Sequence, residues 1–155
     1  CRPERLEPGR AQHRLCFACG AANPHGLGLR FEPAGTDGVA ARCVLDERFQ
    51  GYAGVAQGGI VAAVLDAAMT HCLFQRGLRA MTARLGVRFR SPVRTAVPMT
   101  VTARLVKAEG VTRMPGRVHS LSAEIEQEGE LRAGATATFV DIPPPDTAKD
   151  AARKP

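Results

Sequence analysis

The alternation of apolar and polar positions divides this chain into one helix and a series of strands. From Gly58 to Phe74 the sequence GGIVAAVLDAAMTHCLF is apolar almost all round, interrupted only by Asp66, Thr70 and His71. A helix that is hydrophobic on every side is normally buried within its own protein. Two glycines open it and Gly77 follows it, which marks a start and a C-terminal stop. Beyond it the period changes to two. Leu85, Val87 and Phe89 alternate with Arg84, Gly86, Arg88 and Arg90 ahead of Pro92. Val101, Ala103 and Leu105 alternate with Thr100, Thr102 and Arg104, and Leu121, Ala123 and Ile125 with Ser122, Glu124 and Glu126. Residues 133–140 read as a further strand, and residues 27–31 and 39–45 as two short strands ahead of the helix. Glu109-Gly110 and Glu128-Gly129 supply turns.

The order is therefore strand, strand, buried helix, then four strands in a meander, with short turns that make neighbours antiparallel. One helix can cover one face of a sheet that curls around it. The prediction is an α+β domain, a single central helix wrapped by an antiparallel sheet. Residues 1–14 carry Arg2, Arg5, Arg10 and Arg14 among prolines and a glycine, and read as a flexible arm. Residues 142–155 carry three successive prolines and a small, charged end, and read as a disordered tail. The folded body is expected over 15–141.

Composition narrows the functional classes. The 155 residues are 45% hydrophobic and 23% charged, a globular balance in one domain of ordinary size. No apolar run reaches the roughly 20 residues of a membrane span, and no signal peptide is expected behind the polar start. The net charge is +6, and 18 of the 21 basic residues are arginine. That surplus suits an anionic partner. With no Trp, one Tyr and the basic residues scattered, a nucleic-acid partner is not expected. Five cysteines, an odd number without a secretion signal, argue against a disulfide framework and for a reducing, cytoplasmic setting.

Asp66 carries the most information. A carboxylate in AAVLDAAM is costly unless it is paired or open to a cleft, and such groups are candidates for chemistry. Thr70 lies one turn further on the same side. Gln57-Gly58-Gly59 is the second feature. The first N–H groups of a helix lack internal partners and lie at the positive end of its dipole, so they can polarise a carbonyl. Asp66 lies nine residues after Gln57, about 13 Å along a helix. Both can act on one atom only if the acid comes from a second subunit. Cys16-Phe17-Ala18-Cys19-Gly20 is a CxxCG turn with His13 and His25 nearby, but it lacks the second cysteine pair of a common zinc site. It is expected to be a packed loop of reduced thiols without metal. His71 reads as a satisfied core histidine, and His119 lies on a strand. No serine-hydrolase elbow, P-loop or dinucleotide fingerprint is present.

Three segments resemble one family. CFACGAANPHGLGLRF at 16–31, FQGYAGVAQGGIVAAVLDAAM at 49–69 and MTARLGVRFRSPV at 81–93 resemble, in order, the PaaI-like branch of the hotdog-fold acyl-CoA thioesterases. The resemblance implies a curved antiparallel sheet around one helix, a homodimer or dimer of dimers, no cofactor, and hydrolysis of acyl-CoA at the dimer seam. Position by position, Asp66 matches the catalytic acid, nucleophile or general base. Gly59, with Gly58 beside it, matches the helix-start donors, and Thr82 a hydroxyl that orients water or the acid. Strand parity puts Thr82 with Arg84 and Arg88, opposite Leu85, so it is expected to point away from the core and toward the partner. Gln57 departs from the family's usual His in His-Gly-Gly and cannot titrate near neutral pH. Gly51 stands where some relatives have Asn. Arg88 and Arg90 are candidates for CoA phosphates, although the same arginines would suit a solvated strand face. The alternative is an acyl-CoA-binding or regulatory hotdog protein without turnover.

Overall fold

The computed structural model describes residues 13–109 and 116–142. Gly110 of the turn expected at Glu109-Gly110, all but two residues of the N-terminal arm and all but one of the C-terminal tail lie outside them. Helix α1 spans Gly58–Phe74, and the strands are β1 (Glu32–Ala34), β2 (Gly38–Val44), β3 (Ala80–Phe89), β4 (Pro98–Glu109), β5 (Val118–Gln127) and β6 (Glu130–Asp141). All pairings are antiparallel and form one six-stranded sheet. The expected α+β hotdog architecture, one helix wrapped by one curved sheet, is what the chain adopts.

The strand order corrects the meander. It runs β1-β2-β4-β5-β6-β3, so of the four strands after the helix only β4, β5 and β6 follow one another as neighbours. β3 crosses to the far edge and pairs with β6. Residues 27–31 do not form a strand. Gly28 has φ +63°, outside extended geometry, and pairing begins only at Glu32. Leu29 and Phe31 are nonetheless buried, which is what their apolar spacing reported.

Val61, Val64, Leu65, Ala68, Met69 and Cys72 of α1 pack on Val101, Leu121, Ile125 and Phe139 of the sheet. These side chains are almost wholly buried, each a contribution of roughly 1.5–3 kcal/mol for the larger ones. The helix is not buried all round. Gly58 and Gly59 are exposed, and Ala62, Ala63, Asp66 and Thr70 are half-buried, a stripe at helical spacing that the chain's own sheet leaves partly open. His71 is buried, stacked on Phe31 at 4.6 Å and edge-on to Phe74 at 5.3 Å. At the C-terminal end of the helix Arg76 clamps the β1–β2 turn through Asp37 at 2.5 Å and caps the Cys72 carbonyl at 2.8 Å.

Candidate active site

Edge strand β3 and helix α1 together build the site. Between Thr82 and Arg84 the β3–β6 register shifts by one residue. Thr82 pairs with the buried Phe139, while Leu85 pairs with Ala137 on the same core side. The extra residue, Ala83, reverses the parity expected from the sequence. Thr82 therefore faces its own helix rather than away from it. Its Oγ1 donates to Asp66 Oδ1 at 2.7 Å. The carboxylate that looked costly in an apolar stretch is half-buried and hydrogen-bonded. Thr70 is beside it in the helix, but its hydroxyl donates to the Asp66 backbone carbonyl at 3.0 Å. Asp66 Oδ2 accepts no hydrogen bond among the described residues and remains available to a substrate or water.

The helix start lies two and a half turns away. Gln57 is the N-cap, extended at φ −63° and ψ 134°, and its Oε1 accepts from the Ile60 N–H at 3.0 Å. This amide substitutes for the Ser, Thr or Asp usual at such a cap. It leaves the N–H groups of Gly58 and Gly59 without a partner among the described residues, pointing out of the helix's positive end. A Cβ on Gly59 would stand 2.8 Å from Gln57 Oε1, and one on Gly58 3.5 Å from the Phe89 ring. The two glycines keep this approach open. Gly51 lies against Gln57, where a Cβ would meet its Cα at 3.4 Å. The loop before the helix is held by Gln57 N–H to the Phe49 carbonyl at 2.9 Å and Ala56 N–H to the Val93 carbonyl at 2.8 Å.

Beside the helix start is a cleft of about 310 Å³ walled by Val55, Val61, Phe89, Pro92 and Val93, with Gly58 and Arg90 on its margin. The structure separates the two candidate arginines. Arg90 borders this cleft as well as a cavity on the outer face of the sheet. Arg88 lines only the outer cavity among these two and pairs with Gly134. It does not face the helix start in its own chain. Phe74 is buried in the core, Leu78 packs against the core, and Met81 is exposed on the edge strand.

Two further groups lie outside this site, and the first was not legible from the sequence. His119 is almost fully buried on the core side of β5, and its Nε2 lies 2.7 Å from Asp141 Oδ1 at the end of β6. His13 closes on Cys16 and Cys19, with the ligand atoms of all three within 4.8 Å of one another. Among the described residues no disulfide forms. Burial raises Cys43 to about 11 and pushes Cys72 upward, and it lowers His13.

Residues 53–113, the segment holding the helix start, Asp66 and Thr82, match the thioesterase superfamily. The chain is 31% identical over 97 residues to the rat (Rattus norvegicus) acyl-coenzyme A thioesterase THEM4, an alignment covering 61% of this chain and 39% of that protein. The chain thus spans about two fifths of the length of this curated relative. A solved thioesterase superfamily protein superposes with a TM-score of 0.72 at 24% identity, over 79% of this chain and 61% of that one. The Escherichia coli PaaI protein of the phenylacetic acid degradation operon follows with 0.69 at 15%, over 86% and 94%. A hypothetical thioesterase protein of Streptococcus pneumoniae, solved with coenzyme A, gives 0.64 at 18%, over 73% and 87%. The matched segment is similar to the thioesterase superfamily, and the fold as a whole is the hotdog fold of the solved structures it superposes on. No helix among the described residues is long and apolar enough to cross a membrane.

Proposed function

We propose that the chain hydrolyses acyl-CoA thioesters to a free acid and CoA, as an oligomer with its sites at the seam between two subunits. The observation that carries this is the Thr82–Asp66 hydrogen bond, which holds one carboxylate oxygen and leaves the other open. The Gly58 and Gly59 N–H groups polarise the thioester carbonyl. Asp66 either takes a proton from the attacking water or attacks the carbonyl itself. In both routes the carbonyl carbon gains an oxygen and loses sulfur, and the CoA thiolate leaves with the proton that water supplies. The spacing along α1, about 13 Å, keeps Asp66 from the donors of its own chain. The acid of one subunit therefore serves the helix start of the other. The exposed edge strand β3 is available for that pairing. The CoA-bound neighbour and the rat acyl-CoA thioesterase support the choice of substrate. Arg90, which lines the cleft, would meet a CoA phosphate, and Arg88 would reach CoA only across subunits.

A second reading, acyl-CoA binding without turnover, draws on Gln57. Its side-chain oxygen is committed to capping Ile60, and it cannot act as an acid toward the leaving thiol. A panel of acyl-CoAs assayed for thiol release separates the two readings. A complementation experiment tests the seam. Mixing inactive Asp66→Asn chains with inactive Gly59→Val chains should restore about a quarter of wild-type activity. Half of randomly paired dimers are mixed, and each has one intact site of two. Recovery of nothing from properly mixed dimers would contradict shared sites.

A further inference from the structure

We propose that His13, Cys16 and Cys19 bind a zinc ion that fixes the N-terminal loop to the domain, independently of the reaction at Asp66. The three donor atoms lie within 4.8 Å of one another, and Cys19 Sγ is 3.9 Å from His13 Nδ1. Tetrahedral zinc with sulfur bonds of about 2.3 Å needs ligand atoms about 3.8 Å apart, so a contraction of an ångström or less completes the geometry. Two thiols and an imidazole form a soft donor set, which selects zinc over magnesium or calcium. A solvent molecule completes the four.

The backbone builds the cradle without the metal. Cys16 N–H donates to the His13 carbonyl at 3.0 Å, Gly20 N–H to the Cys16 carbonyl at 2.8 Å, and Ala22 N–H to the Arg14 carbonyl at 3.0 Å. The turn is so tight at Gly20 that a Cβ there would stand 2.5 Å from both the Cys16 nitrogen and its oxygen. Only glycine fits at this point of the turn. The His13 ring is held edge-on to Phe74 at 4.7 Å. A disulfide between Cys16 and Cys19 would explain the pair but not the histidine closed onto it. The loop also reaches the active-site side of the domain. Phe17, between the two cysteines, packs edge-on to Phe49 at 6.2 Å, and the Phe49 carbonyl anchors Gln57 at the start of α1.

The full chain, stripped with a chelator under reducing conditions, is titrated with Co²⁺ and then Zn²⁺. The expected result is one Co²⁺ per chain, with a sulfur-to-cobalt charge-transfer band and the intense visible bands of tetrahedral coordination, displaced by one equivalent of zinc. Cys16→Ser and Cys19→Ser should abolish the charge-transfer band, His13→Ala should weaken binding about tenfold or more, and His25→Ala should bind as wild type. Absence of the band in wild type with all thiols reduced would overturn the proposal, and this readout does not depend on any variant folding. A Cys16–Cys19 disulfide that persists under those reducing conditions would overturn it too, as would undiminished binding in the double cysteine variant.

Discussion

Replacing Thr82 by Val removes one hydroxyl and keeps the side-chain shape. The lost interaction is the 2.7 Å bond to Asp66 Oδ1. A buried hydrogen bond to a charged group contributes about 1.5–3 kcal/mol. Thr82 is exposed and Asp66 only half-buried in the single chain, which brings the value toward about 1–2 kcal/mol. If the bond orients the carboxylate for reaction, that loss appears in kcat, as about a 5- to 30-fold decrease. KM should barely change, because the hydroxyl faces the acid and not the cleft at the helix start. Stability should change little, by about 3 °C in Tm or less, since β3 is an exposed edge strand. Steady-state thiol release and thermal unfolding give both numbers, and Thr82→Ser should recover most of the rate. Wild-type kcat in Thr82→Val would refute the positioning role. A large fall in Tm with unchanged kcat would make Thr82 a structural residue only.

Gln57→Ala should lower Tm by a few degrees, corresponding to a lost helix cap of about 0.5–1 kcal/mol, while retaining more activity than any change at Asp66; thermal unfolding beside thiol release checks both. Gly59→Ala places a methyl 2.8 Å from Gln57 Oε1 and over an open N–H, so kcat should fall while circular dichroism stays native. Cys43 is raised from 9.0 to about 11 by burial, so the folded state holds its proton where the unfolded chain has lost it. Its contribution is complete below pH 9 and is lost as pH rises toward 11. Urea midpoints should drop over that window, and less so in Cys43→Ala. Asp141→Ala should leave the buried His119 without its partner and cost about 1–3 kcal/mol by denaturant unfolding, with thiol release by the folded protein preserved.

What the sequence made legible follows from how local each signal is. The helix bounds Gly58–Phe74 and the core of every long strand came from periodicity, because burial on one side writes itself into neighbouring positions. The partner of β3 did not, since the alternation of Leu85, Val87 and Phe89 says nothing about which strand lies alongside. Thr82 was misplaced for a sharper reason. One unpaired residue, Ala83, inverts the facing of everything before it, and Ala has no feature that announces a bulge. The openness of Asp66 was likewise hidden, because hydropathy cannot distinguish a stripe of alanines facing the core from one left partly uncovered. His119 and Asp141, 22 residues apart, meet only through the β5–β6 register. The His13–Cys16–Cys19 cluster did leave a trace, a histidine three residues before the first of two cysteines spaced by three, but a second cysteine pair was the pattern sought.

The most direct test of the account is free-thiol release from acyl-CoA by wild type and Asp66→Asn, at matched folding and oligomeric state. The account predicts turnover on at least one acyl-CoA, and a loss of about 100-fold or more in the variant with KM little changed. Equal rates in the two proteins would remove Asp66 from the chemistry, and no turnover by either would contradict the account and favour the reading without turnover.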